Sequence, residues 1–295
     1  MSSLSVDHWV FHQKRKPQPL TECELEIWQQ FFAAPSSEIP QYAKWLALPI
    51  MKPISDPECR LTQFWSALAD AVNSLTEHND KLAQFVIELQ RLPDGQGILG
   101  PNAYFHELPL FNDFWTRQVQ FQSAADLDES DPSDPRFWAD CQALQNQNTF
   151  LAKITALAAS DTATKDNIHL DQRERGGQAM VEALEVTPWD ENSPTYRSQA
   201  AKVTVLNAYV PAAVLWIMHC GEGMYEKALA GGSRMFESPN LGTNWGVERG
   251  WSKERWTFWL GRLLEISKIP ELEEGIGKLA KDCAEGMADI GKPAS

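Results

Sequence analysis

From Ala208 to Met218 the chain has no charged or amide side chain, and polar character returns only at His219, Glu222, Glu226 and Lys227. A helix that is apolar nearly all round must be buried on every side. The stretch Val203–Gly232 therefore predicts a central helix with other helices packed around it, stopped by Gly231-Gly232. Pro211 lies inside it. Proline has no N–H for the carbonyl four residues back, on Asn207, and its ring pushes a helix into a kink. Two readings of that kink stay open. It either serves packing alone, or it lines a cavity with the Asn207 amide and the rings of Tyr209 and Trp216.

Helical spacing recurs along most of the rest of the chain. Thr21-x-x-Glu24 is a capping-box pattern, followed by Leu25, Trp28, Phe31 and Phe32. A short helix is expected after Pro40. Asp56-Pro57 opens the next, which carries Leu61, Phe64, Trp65, Leu68 and Val72; its expected hairpin partner runs from about Asn79 to Leu92. Helices are also predicted over Leu108–Gln122, from Pro135 to near Ser160, over Gln178–Val186, from Ser252 through Leu264, and from Pro270 to Met287. No run of alternating β-branched residues is long enough for a sheet. The expected fold is all-α, a single globular multi-helix bundle around a buried, Pro-kinked central helix. Residues 1–20 are expected to be irregular and 21–290 to form one all-helical domain. The polar stretch 161–177 is expected to be a loop or a mobile insertion.

Composition sharpens this picture. At 43% hydrophobic residues the chain is expected to fold rather than stay disordered. Its 12 Trp call for broad aromatic surface inside, as packing or as pocket wall. A net charge of −14 argues against nucleic acid and against anionic membrane surfaces as partners. Val203–Cys220 approaches membrane-spanning length, yet it carries Asn207, Pro211 and His219 without an aromatic belt, so a core helix is expected and no membrane. The five Cys are widely spaced with no C-x-x-C, and the first residues show no apolar run after a basic start. The expectation is a cytoplasmic protein with reduced thiols.

Cofactor and metal signatures are missing: there is no G-x-G-x-x-G, P-loop, G-x-S-x-G or H-E-x-x-H. The acidic loop Asp126–Asp134 puts Asp131 and Phe137 where a calcium loop needs Gly and Glu, and it reads as a solvated linker. No cofactor and no metal site are therefore expected. Among titratable groups His219 stands out, with Glu222 three residues on and on the same helix face. A carboxylate beside an imidazole raises its pKa and fixes its tautomer, an acid/base arrangement; a boundary histidine serving the helix end is the alternative. The candidate catalytic residues are His219, Asn207 and Glu222. The candidate substrate-binding residues are Tyr209, Trp216, Asn148 and Trp259.

Three ordered stretches carry a resemblance: Asn146–Ile154 (NQNTFLAKI), Leu206–Tyr225 with its V-P-A-A-x-x-W-I-x-H-x-G, and Trp251–Arg262 (WSKERWTFWLGR). Over roughly Asp56 to Ser267 the chain resembles DUF3632, a fungal family of unknown function often found in secondary-metabolite gene clusters. The resemblance implies an all-helical protein and no established catalytic residues. With the missing cofactor motifs and the aromatic-rich central helix, it leads to an expected function. That function is cofactor-independent cyclisation, including a pericyclic Diels–Alder-type step, or isomerisation of a hydrophobic terpenoid or polyketide intermediate. A non-catalytic helical binding or scaffold protein is the alternative.

Overall fold

The computed structural model describes residues 5–51, 57–92, 105, 107–116, 135–164, 167–186, 199–232 and 250–292. These residues are helical throughout, apart from turns and one isolated antiparallel bridge between Gly232 and Trp251. The fold is all-α. Contacts divide it into two compact units, Met1–Glu129 with Lys153–Asp171, and Ser130–Ala152 with Gln172–Ser295.

The first unit begins with α1 (Val6–Gln13), where sequence reading expected irregular chain. Ser5 caps it by accepting from the His8 N–H, and Trp9 and Val10 are buried. Two apolar positions in a single turn proved enough, because Trp9 packs edge-on against Trp28 and Phe32. Gln13 donates to Asp70 at 2.7 Å, and Lys16 pairs with the same carboxylate, which ties down one member of the basic cluster. The predicted capping box at Thr21 is present and starts α2 (Glu22–Ala33). The unit continues with α3 (Ile39–Met51), α4 (Pro57–Ser74), α5 (Asn79–Gln90) and the single turn α6 (Phe111–Phe114). Its core is a chain of rings, with Trp28 and Phe31 both against Phe85, Phe64 against Trp65, and Trp65 against Phe111.

At the α2 C-terminus the Lys81 ammonium donates to the Phe32 and Ala34 carbonyls. These are acceptors that the helix itself leaves unsatisfied. His78 packs on the Phe32 ring at 4.9 Å.

Helix α7 (Pro135–Ser160) contributes its length through Ala152 to the second unit and the remainder to the first. The polar stretch after it is ordered more than its charge suggested. Asp161 accepts from the Ala163 N–H, Thr164 and Leu170 are buried, and α8 (Arg173–Val181) already begins inside the expected insertion. A π-helical turn, Glu182–Val186, follows α8.

The second unit is built on α9 (Gln199–Ala230), one 32-residue helix that holds Pro211 within it and ends at Gly231 and Gly232, both with positive φ. It packs against α8, α10 (Lys253–Ile266) and α11 (Ile276–Ile290). Ser252 caps α10 as its sequence suggested. The last helix starts at Ile276 rather than at Pro270, since Gly275 takes a left-handed conformation, φ 93°, that ends the preceding turns. By length and hydropathy α9 is long and apolar enough to cross a membrane, yet 78% of its most apolar window is buried inside the protein.

Gly176 lets α8 approach α9. A methyl group there would lie 2.8 Å from the Trp216 ring. The ring is fully buried and its N–H is bonded to Asn148, so it has no room to yield. Gly261, in α10, meets nothing within 4 Å. We therefore expect Gly176→Ala to destabilise by about 1–3 kcal/mol through overpacking, and Gly261→Ala to stabilise by roughly 0.5–1 kcal/mol through helix propensity. Urea denaturation of the two variants checks this; equal effects would contradict the packing.

Burial, then the charge of Lys81, holds the pKa of His78 below its ordinary 6.5, with Glu77 opposing weakly. The unfolded chain takes up this proton near 6.5, and the folded chain only at lower pH. Stability from His78 is thus present above that value and is lost as pH falls through the window below it. His78→Phe should lose less stability than the parent between about pH 7.5 and about pH 5.5. Equal losses in urea melts would exclude the effect.

Candidate functional site

The candidate residues fall in the second unit, strung along α9 and its neighbours. Asn207 lies one turn before Pro211 and is only 8% exposed. Its side-chain oxygen accepts from the Glu273 backbone N–H at 3.1 Å. A backbone N–H can only donate, so this bond fixes which end of the amide is oxygen and turns the NH2 group away. That nitrogen makes no hydrogen bond, and it is not among the sealed polar atoms. It therefore keeps some contact with solvent although the side chain as a whole is buried. Pro211 has no N–H to offer the Asn207 carbonyl. Nearby, burial first and then the charges of Asp140 and Glu273 push the Cys141 thiol up to about 12. Cys141 is thus a neutral thiol and not a nucleophile.

Further along α9, Trp216 is fully buried and donates to the Asn148 oxygen at 2.7 Å, while the Asn148 nitrogen donates to the Leu144 carbonyl at 2.8 Å. The sequence reading put both in a ligand site; the structure joins them to each other, tying α7 to α9. Cys220 adds a bond to the Ala152 carbonyl. Tyr209 is buried. His219 is half-buried and Glu222 exposed, and no hydrogen bond or ion pair joins the two.

A fully buried cluster, not anticipated from sequence, holds the N-terminal half of α10. The Arg255 guanidinium meets both oxygens of Glu185 at 2.7 Å and donates to the Gly250 carbonyl at 2.8 Å. Trp259 donates to the same carboxylate at 2.6 Å. The two charged side chains are 1% and 0% exposed. Such a pair is held only when its geometry is good and its remaining polar atoms are satisfied. Trp251 packs edge-on against Trp259 and donates to Glu174, which also pairs with Lys227 of α9. A signal for Arg255 was present, since Arg255 and Trp259 are four residues apart on one face of α10. Glu185 had none.

The first unit has a cleft of about 180 Å³ lined by Gln84, Ile87, Glu88, Arg91, Leu157, Ser160 and Asp161. Arg91 fills much of its chemistry, bridging Glu88 and Asp161, and those pairings raise the Arg91 pKa further. Among the described residues no group of three His, Cys, Asp or Glu is placed to hold a metal ion. The acidic loop Asp126–Asp134 and most of the long loop between Gly232 and Trp251 lie outside the described residues.

A family profile described as a protein of unknown function, DUF3632, matches residues 65–263. The chain belongs to DUF3632. No curated protein and no solved structure matches it. The DUF3632 span contains Asn148, Glu185, Asn207, Trp216, Arg255 and Trp259, whereas Glu273, which orients Asn207, lies beyond it.

Removing Arg255 alone would leave Glu185 charged and buried. Arg255→Met should cost about 3–5 kcal/mol, and the double variant Glu185→Leu/Arg255→Met should recover most of that loss. Thermal or urea unfolding decides. A single variant within about 0.5 kcal/mol of the parent would mean that the pair contributes little.

Proposed function

We propose that this DUF3632 chain is a cofactor-independent enzyme of secondary metabolism acting in the cytoplasm. Its proposed reaction is cyclisation, with a pericyclic Diels–Alder-type step included, or isomerisation of a hydrophobic terpenoid or polyketide intermediate. One observation carries the reading. The Asn207 amide is anchored by a backbone N–H, buried, and leaves its own N–H donors unused beside an apolar helix. A donor already held in place costs no reorganisation when charge develops on a bound carbonyl. Apolar walls with a few fixed polar groups are the usual composition of a small-molecule site. Holding a flexible substrate in a reactive pose lowers the barrier further, without any bond to the protein. His219 and Glu222 are the proposed acid/base groups for an isomerisation.

A second reading is a non-catalytic helical binding or scaffold protein. What supports it is that the polar atoms of Asn148, Trp216 and Trp259 are all used in internal hydrogen bonds, while Met218 and Leu229 stand exposed on α9.

Deletion of the gene in its native host, with metabolite profiling, separates the two. The enzyme reading expects an apolar precursor to accumulate, and dialysed protein added to the mutant extract to convert it without added cofactor. An unchanged profile would overturn the enzyme and leave the scaffold.

A further inference from the structure

We infer that Asn207 makes this protein select ligands carrying a bare acceptor oxygen, the carbonyl of a ketone, enone, ester or amide, over ligands of the same shape without one. The inference rests on the small-molecule site proposed above and names what that site reads. The geometry leaves little freedom. The Glu273 N–H occupies the amide oxygen at 3.1 Å, so the part of Asn207 that keeps solvent contact offers N–H only. With the side chain 8% exposed, an amide flip would bury two N–H groups against the Glu273 N–H and leave three donors facing one another. Two carboxylates, Asp140 and Glu273, lie close enough to raise the pKa of Cys141, and neither bonds the Asn207 amide nitrogen. The Cys141 thiol, pushed up to about 12, stays protonated through the physiological range. The helix around Asn207 is apolar from Val205 to Val214 apart from Asn207 itself and the Tyr209 hydroxyl, and all of these side chains are buried. A donor in such surroundings discriminates through the penalty of being left unmade. A ligand that covers the N–H groups without accepting from them strips away their water and returns nothing.

The test uses a matched pair of probes, 1-acetylnaphthalene and 1-ethylnaphthalene, which share shape and differ in one carbonyl oxygen. Titration of the full chain, followed by tryptophan fluorescence, is combined with NMR of the Asn207 side-chain NH2 resonances, assigned by their loss in Asn207→Asp. The acetyl probe should bind several-fold to about tenfold more tightly, and only that probe should move the Asn207 NH2 resonances. In Asn207→Asp one carboxylate oxygen still accepts from the Glu273 N–H, so the chain keeps its anchor, and the preference for the acetyl probe should disappear. The comparison of probes on the unmodified chain stands even where that variant does not fold. Equal binding of both probes with unmoved Asn207 resonances would overturn the selection by Asn207 and leave an apolar site standing. Binding of neither probe would overturn the small-molecule site itself, and this inference with it.

Discussion

A helix with no polar face has to be covered on every side, and the second unit is the answer to that constraint. Helix α9 packs against α8, α10 and α11 and is bonded to α7, and several of these contacts are specific fits as well as apolar burial. Gly176 brings α8 close enough for its backbone to lie on the Trp216 ring. Asn148 on α7 takes the Trp216 N–H, and the turn before α11 gives its Glu273 N–H to Asn207. Burial of apolar area provides the drive. Most of the polar atoms that go in with it are paired, as buried polar groups generally are, and the Asn207 nitrogen is an exception.

The same rule explains why the most expensive group in the unit, the Arg255–Glu185 pair, sits where it does. Two desolvated charges are tolerable when the fork is bidentate and the leftover lone pairs and N–H groups find partners. Gly250 and Trp259 supply those partners. The pair joins α10 to the π-helical turn after α8. In the first unit the problem is different: a network of Trp and Phe rings in edge-on and tilted contacts fills the core, and the charged groups stay at helix ends, as Lys81 does beneath α2.

Much of the fold could be read from periodicity, because most helices here are amphipathic and carry their start signals in sequence. Thr21 with Glu24, and Ser252, cap where they were expected to. The misses have physical reasons. α1 is short and rests on two buried apolar side chains, which a basic, proline-rich context hides. The 161–177 stretch is polar, yet its own turns and the first residues of α8 use that polarity internally. Gly275 moved the start of α11, because an αL residue breaks a helix that Pro270 alone seemed to open. The site was legible only in part. Asn207 stood out as an amide in an apolar helix, but its bond to Glu273 depends on a turn some sixty residues away that no local pattern reveals. Asn148, Trp216 and Trp259 were picked out by residue type, and tertiary structure gave their polar atoms to one another or to Glu185.

The central claim, that the burial of α9 organises the second unit, is tested most directly by native-state hydrogen exchange. If α9 is the last element to open, its amides from Val205 to Val214 (with Pro211 lacking one) exchange only through global unfolding of that unit. Their protection then exceeds that of α11, and falls with urea at the full unfolding slope. Exchange of these amides by local opening, faster than in α11 and insensitive to urea, would contradict the account.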